Sequence, residues 1–248
     1  MMDRIKDYSE VKDRIVKWIN DYVDSNNLKS LVVGVSGGID SAVTSTLCAH
    51  TGLPTYVIGM PLLQKKDQED LSDLHLAWLA RTFHFNVTIR KFDLTSLFEM
   101  FKSLVGEEFD TDHAFANSRS RMRMVMLYQI ATSTNGIVVG TGNKVEDYGV
   151  GFFTKYGDGG VDIAPIADLY KTEVWELGKF LGIDQGIIEA QPTDGLWDDA
   201  RTDEDQLGVP YAALEEAMEY GTGSGVEVLK KFNTQNQHKM QPIPTFLL

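Results

Sequence analysis

Apolar residues recur along the chain in two alternating periods. Val11, Ile15, Trp18, Ile19, Tyr22 and Val23 return every three or four positions, which predicts an amphipathic helix ending near Asn26 and Asn27. Leu31, Val32, Val33 and Val35 then form a nearly unbroken apolar run, the pattern of a strand covered on both faces. Ile39, Ala42, Val43 and Leu47 resume helical spacing. The alternation continues with strands over 55–62 and 86–94, an acidic helix from about 67 to 83 between them, and a helical stretch carrying Leu97, Phe98, Phe101, Leu104 and Val105. A long helix over about 114–134, in which Met122, Met124, Met126, Leu127 and Ile130 serve packing, precedes a strand in GIVVGTGN (136–143). KTEVWELGKFLG (171–182) forms a helix closed by Gly182.

Apolar strands separated by helices predict one α/β domain over residues 1–248: a Rossmann-like, mostly parallel sheet with helices on both faces. Ligands of such sheets sit beyond the carboxyl ends of the strands, so SGGIDS (36–41), GMPL (59–62) and GTGN (140–143) are expected to converge. Residues 144–163 are glycine-rich and irregular. Two segments are expected to be mobile: PTDGLWDDARTDEDQLG (192–208), a lid or a plain surface loop, and 221–248, where GTGSG forms a hinge before a short last helix. No internal repeat and no second hydrophobic core is evident.

The turn inside VVGVSGGIDSAV (32–43) brings in chemistry. Gly37 and Gly38 permit backbone angles closed to other residues, so several N–H groups can point at one spot. Helix N-termini carry about half a positive charge and concave clusters of amides bind anions, which makes a phosphate the expected guest. Ser36 and Ser41 add hydroxyls. A carboxylate beside a phosphate needs a cation between them, and hard Mg²⁺ suits both, so Asp40 is a candidate metal ligand. The plainer reading makes Ser36 a helix cap and Asp40 a charge favouring the positive helix end. No lysine follows the glycines as a Walker A loop requires, and G-x-G-x-x-G occurs neither here nor in GTGNKVEDYG. SGGIDS resembles instead the pyrophosphate loop of the N-type ATP pyrophosphatases, proteins of the adenine nucleotide α-hydrolase-like fold. That resemblance implies ATP cleaved between its α- and β-phosphates to adenylate a substrate.

Composition narrows the setting. A hydrophobic share of 43% in 248 residues suffices for a sizeable core. The single cysteine, Cys48, excludes an intramolecular disulfide and a Cys-cluster metal site, which fits a reducing cytoplasm. No apolar run approaches a membrane span, and the charged MMDRIKDYSE lacks a signal-peptide core. The net charge of −13 argues against nucleic-acid partners and requires local basic clusters or metal ions to draw in anionic substrates.

Residues 140–171 gather Glu146, Asp147, Lys155, Asp158, Asp162, Asp168 and Lys171 among glycines, which suits backbone threaded around ligands. Gly140-Thr141, Glu146, GFFTKYGDGG (151–160), Asp162 and the P-x-x-x-L-x-K segment from Pro165 to Lys171 resemble the NAD synthetase family signature. SGGIDS, NSRSRMRM (117–124), PTDGLW (192–197) and HKMQPIP (238–244) occur in the family's order. The resemblance implies ATP-dependent amidation of nicotinic acid adenine dinucleotide (deamido-NAD) to NAD with ammonia, through an acyl adenylate, releasing AMP and pyrophosphate. It implies that Gly34, Val35, Ser36, Gly37, Gly38, Ile39, Asp40 and Ser41, with Thr141, Lys171 and Thr193, bind ATP, and that Asp40 and Glu146 hold Mg²⁺. It assigns Lys155, Asp162, His238, Lys239 and either Arg121 or Arg123 to the dinucleotide. Asp40, Lys171 and Asp162 are the candidate catalytic groups, Asp162 as an alternative acceptor of a proton from ammonium. It also implies a homodimer, built partly by the 114–134 helix, whose interface contributes to the dinucleotide site.

Two departures stand out: Arg119 is distinctive here, and one extra residue separates the glutamate from GFF, which leaves Asp147 as an alternative ligand to Glu146. His75 and His84 read as ordinary helix and loop residues. Cys48 is in no nucleophile setting and these residues leave no room for a glutaminase domain, so ammonia is expected to arrive free or from a separate subunit. Two other readings compete: a tRNA-thiolating or guanylate-forming pyrophosphatase, disfavoured by the charge and the single cysteine, and a non-catalytic nucleotide sensor, disfavoured by the retained Asp40 and Glu146.

Overall fold

A computed structural model describes residues 4–64, 66–193 and 202–247. Four parallel strands, β1 (Ser30–Val35), β2 (Thr55–Gly59), β3 (Val87–Lys91) and β4 (Gly136–Val138), lie in the order β3-β2-β1-β4. The register pairs Val33 with Val57 and Leu31 with both Thr55 and Ile137. β1 is central, so its side chains are covered from both sides, as its apolar run predicts. Leu31, Val33 and Val35 pack on one face against Ile19 and Val23 of α1 (Tyr8–Ser25) and Leu76 and Leu79 of α3 (Lys66–Thr82). Val32 points the other way, into a cluster with Phe98 of α4 (Thr95–Leu104) and Phe115 and Ala131 of α5 (Asp112–Ser133). The predicted α/β sandwich is present, and all its strands are parallel.

Local chemistry sets the helix boundaries. Asp7 caps α1 by accepting from the Ser9 and Glu10 N–H groups, and Thr111 caps α5 by accepting from Ala114 N. α2 (Ile39–His50) runs almost wholly buried and packs on α6 (Lys171–Leu181), where Ile39, Val43 and Leu47 meet Val174 and Leu177. α6 closes at Gly182 in the left-handed region, at φ 75°.

The carboxyl-terminal third departs from the sequence expectations. Residues 144–163 are not wholly irregular, because Val145–Val150 form a π-helical turn ended by Gly151 at φ 65°. The 192–208 segment includes α8 (Asp203–Leu207), capped reciprocally by Thr202 and Asp205; residues 194–201 of the expected lid lie outside the described residues. After α7 (Gln185–Glu189) and α8 come α9 (Tyr211–Tyr220) and α10 (Val226–Met240), and α10 is a 15-residue helix where a short one was expected. A separate apolar cluster exists too: Val145, Val150, Tyr170, Leu207, Tyr211 and Leu214, flanked by Val228, Leu229 and Phe232. Its members are scattered over five elements, so no single periodic segment announces it.

Leu47, fully buried between α2 and α6, tests this packing. Leu47→Ala is expected to lower unfolding free energy by about 2–5 kcal/mol, read from the denaturant midpoint with the slope unchanged.

Candidate active site

The carboxyl ends of β1, β2 and β4 open into a cavity of about 830 Å³, lined by Gly34–Ser41, by Met60 after β2, and by Gly140, Thr141 and Gly142 after β4. The expected convergence of the three loops is therefore present. Gly37 sits at φ 94°, and a Cβ there would lie 2.6 Å from the Gln68 carbonyl oxygen of α3, so both conformation and space require glycine. Gly38 is the N-cap of α2 and no side chain caps that helix. Ser36 Oγ instead accepts from Gly38 N and bonds Ser41 Oγ, each at 3.2–3.3 Å, while Ser41 Oγ also accepts from Ser36 N. The plain capping reading of Ser36 is thereby corrected: its hydroxyl braces the turn, and the α2 amino end faces the cavity without a side-chain partner.

Asp40 does not rest on its own helix end either. Lys171, the first residue of α6 and only 2% exposed, donates to Asp40 Oδ2 at 2.5 Å and to Glu146 Oε1 at 3.0 Å. Burial opposes the ammonium, but Asp40, Glu146 and Asp203 raise the Lys171 pKa and hold it protonated. Asn143 Nδ2 donates to Asp40 Oδ1 at 3.1 Å, and Asn143 Oδ1 accepts from the N–H groups of Val145 and Glu146, so one side chain starts the π-helical turn and orients Asp40. Tyr211 Oη lies 2.7 Å from Glu146 Oε1 and 3.2 Å from Asp203 Oδ2. Between the two alternatives left by the extra residue, Glu146 is the carboxylate that shares Lys171 with Asp40. Asp147 lines the same cavity, and burial together with the negative charges of Glu146, Asp158 and Asp40 pushes its pKa up to about 7.

These groups supply hard oxygen donors suited to Mg²⁺. Among the described residues, no three His, Cys, Asp or Glu side chains are grouped to hold a metal unaided. Two carboxylates completed by substrate phosphate oxygens are the usual way this ion is bound, so the donor set fits. Lys171 meanwhile offsets part of the negative charge of the pair.

Basic side chains line the cavity as well. Arg121, Arg123, Lys155, His238 and Lys239 all line it. Arg121 Nε donates to the Lys155 carbonyl and Arg123 Nε to the Met60 carbonyl, both at 3.2 Å, so both arginines reach the site from α5. Lys155 Nζ donates to the His238 carbonyl at 3.1 Å and Lys239 Nζ to the Phe153 carbonyl at 2.8 Å, joining α10 to the 151–160 loop. Burial lowers the Lys239 pKa. Thr141 and Thr193 also line the cavity.

Asp162 is the exception. It is exposed, lies outside the cavity lining, accepts from Val138 N at 2.7 Å through Oδ2 and receives the Tyr128 hydroxyl at 3.0 Å through Oδ1. Its carboxylate is held by the backbone of β4 and by Tyr128, so the structure does not bring it together with the other expected dinucleotide residues within this chain. Arg119 is absent from the lining and stacks 5.1 Å above the Phe98 ring. His75 is buried against Ser45 Oγ at 2.9 Å and stacks on Trp78, the ordinary role its sequence context suggests. Sequence reasoning missed Asn143, Tyr211 and Asp203, and gave Asp158 no role although Ser120 Oγ donates to it at 2.6 Å. An asparagine just ahead of a helical turn was the available signal for Asn143; none pointed to Tyr211.

The model of the NAD synthase family matches residues 11–244. A curated NH(3)-dependent NAD(+) synthetase of Alkaliphilus metalliredigens is 36% identical over 244 residues, covering 94% of this chain and 96% of that protein. Among solved structures, an NMN synthetase from Francisella tularensis superposes with TM-score 0.88 at 32% identity, over 98% of this chain and all of that one. The NH3-dependent NAD synthetase of Campylobacter jejuni superposes at 0.77 and 26% identity, with the same coverage.

The raised Asp147 pKa has a measurable sign. A carboxyl that binds its proton more tightly when folded makes stability fall as pH rises from about 4 to about 7, by at most about 1.4 kcal/mol per pH unit. Asp147→Asn, without metal or nucleotide, is expected to raise the melting temperature at pH 8 and to leave it nearly unchanged at pH 4.

Proposed function

Since the chain belongs to the NAD synthase family, we propose that it joins ammonia to the nicotinate carboxylate of deamido-NAD, forming NAD while ATP is cleaved to AMP and pyrophosphate. The observation that carries this reading is the buried Lys171 shared by Asp40 and Glu146 beside an uncapped helix end, a cation and anion arrangement suited to the phosphates of ATP. A carboxylate resists attack by ammonia because its charge and resonance make the carbon a poor electrophile. Adenylation removes that obstacle: the carboxylate oxygen attacks the α-phosphorus, pyrophosphate departs, and ammonia then displaces AMP from the acyl carbon.

In this assignment the Gly34–Ser41 turn, with Thr141 and Thr193, receives ATP, and the amides of the turn neutralise the departing pyrophosphate. Lys171 brings a fixed positive charge to the oxygens on which charge develops, already desolvated and oriented by its carboxylates. Asp40 and Glu146 hold Mg²⁺, which when bound supplies further charge neutralisation to the phosphates. Arg121 or Arg123, with Lys155, His238 and Lys239, takes the nicotinic acid nucleotide. Asp162 has no part in this chain's own site.

A second acceptor is favoured by one observation, the closer backbone match to the Francisella tularensis NMN synthetase than to the Campylobacter jejuni enzyme. On that reading the substrate is nicotinic acid mononucleotide, with one phosphate fewer. The two acceptors share every chemical step and differ only beyond the first phosphate.

We further infer a cytoplasmic homodimer. Among the described residues no helix is long and apolar enough to cross a membrane, and the one thiol, Cys48, is buried and unpaired with another cysteine. Leu97, Met100 and Leu104 on α4 and Val125 on α5 are exposed apolar side chains of neighbouring helices, a surface suited to a second copy. Sedimentation should give twice the chain mass, and Val125→Glu with Leu104→Glu should return it to the monomer.

Purified protein with ATP, Mg²⁺ and ammonium is expected to form AMP and pyrophosphate only when deamido-NAD is added, with NAD appearing in equal amount. Nicotinic acid mononucleotide as the better acceptor would establish the second reading, and ADP in place of AMP would overturn both. Asp40→Asn should remain folded and lose at least about a hundredfold in AMP formation, as loss of a metal ligand removes several kcal/mol of transition-state stabilisation.

A further inference from the structure

Tyr211 is buried, does not itself line the cavity, and yet stands at the junction of four elements that the site needs. Its hydroxyl meets Glu146 of the π-helical turn at 2.7 Å and Asp203 of α8 at 3.2 Å. Its ring lies 4.9 Å from Lys171 Nζ and edge-on to Trp175, both on α6, while its own N–H is held by Glu204 of α8 at 2.9 Å. Two donors, Lys171 and Tyr211, converge on the same oxygen of Glu146, Oε1. The carboxylate is thereby fixed in orientation while Oε2 takes part in neither bond.

A hydroxyl has one proton, and at 2.7 Å that proton belongs with Glu146. Asp203, held in place by its N–H to the Pro192 carbonyl, then approaches the pair as a third negative charge facing Lys171, after Asp40 and Glu146. The result is a buried relay from α8, just after residues 194–201 in the chain, through one phenol to one carboxylate oxygen.

We propose that Tyr211 is a positioning residue, which fixes Glu146 for Mg²⁺ and ties the placement of that carboxylate to the seating of α8. This rests on the proposed assignment of Glu146 as a metal ligand. Partners that orient a metal-binding side chain through its other contacts commonly affect metal affinity by tenfold to a hundredfold.

Tyr211→Phe retains the ring, its contact with Lys171 and the apolar cluster, and removes only the donor. Mn²⁺ affinity, measured by electron paramagnetic resonance in the presence of a non-cleavable α,β-methylene analogue of ATP, is expected to weaken by about tenfold or more. The Mg²⁺ concentration for half-maximal AMP formation should rise in parallel, with kcat largely restored at saturating Mg²⁺, whereas a merely structural role would lower kcat without moving the metal dependence. A shift of less than threefold in Mn²⁺ affinity overturns the proposal, and any larger shift supports it. If Tyr211→Phe melts below the assay temperature, Tyr211→Phe combined with Asp203→Asn removes the charge left facing Glu146 and is read against the same threshold. Mn²⁺ binding with the analogue does not depend on which nicotinic acid nucleotide is amidated. If wild-type protein binds no Mn²⁺ with the analogue, the metal assignment itself has failed; if wild type binds and the variant binds equally, only the role of Tyr211 has.

Discussion

A buried ammonium between two partly buried carboxylates is the constraint around which this molecule is arranged. Lys171 is 131 residues from Asp40 in the chain and 25 from Glu146, so the three meet only if α2, the π-helical turn and α6 dock correctly. Leaving one of these charges without partners in the interior costs about 3–5 kcal/mol, whereas the assembled group is roughly neutral in stability. Such a group therefore selects one arrangement of the elements more than it strengthens it. The supporting bonds point the same way: Glu173 accepts from Tyr170 N at 2.8 Å and from Arg4 at 3.0 Å, pinning the first turn of α6 just where Lys171 begins it.

The phosphate turn is arranged by backbone rather than by charge. Gly37 can adopt its left-handed angle and lie against α3 because it has no side chain, and that close approach carries β1 directly into the start of α2. Ser36 and Ser41 spend their hydroxyls on each other and on the loop backbone, so the shape exists before a ligand enters. A preformed cluster of donors loses little freedom on binding, which is where such sites gain over flexible basic side chains.

Most of the sheet and its helices were legible because each is a periodic segment: the buried face of α1 through Ile19 and Val23, the two-sided burial of β1, the Gly182 stop of α6. The limits have particular causes. GIVVGTGN has the composition of a longer strand, but β4 is regular only over Gly136–Val138: Val139 N still bonds Val32 O while Val139 bridges to Ile163, and Asp162 takes both the Val138 N–H, through its carboxylate, and the Val138 carbonyl, through its own N–H. A residue that resemblance placed with substrate thus does backbone work that no motif can reveal. Trp18 shares the period of α1 and is still 45% exposed, since it sits on the edge of the stripe centred on Ile15, Ile19 and Val23. Tyr211, Asp203 and the apolar cluster around them come together only through tertiary docking of short helices, whose individual patterns are too brief to carry a signal.

The charge distribution reconciles an acidic protein with anionic substrates. A net charge of −13 repels phosphates at long range, yet the cavity lining holds both signs: Asp40, Glu146 and Asp203 gather around Lys171, while Arg121, Lys155 and Lys239 meet along the 151–160 loop with Asp158 near them. Three carboxylates around a single buried ammonium make that part of the cavity unsuited to a bare triphosphate and well suited to a nucleotide that brings its own cation. Arg121, Lys155 and Lys239 need no such companion and suit a phosphate directly. An anion that carries a metal ion and one that does not are thereby favoured by different side chains of one cavity.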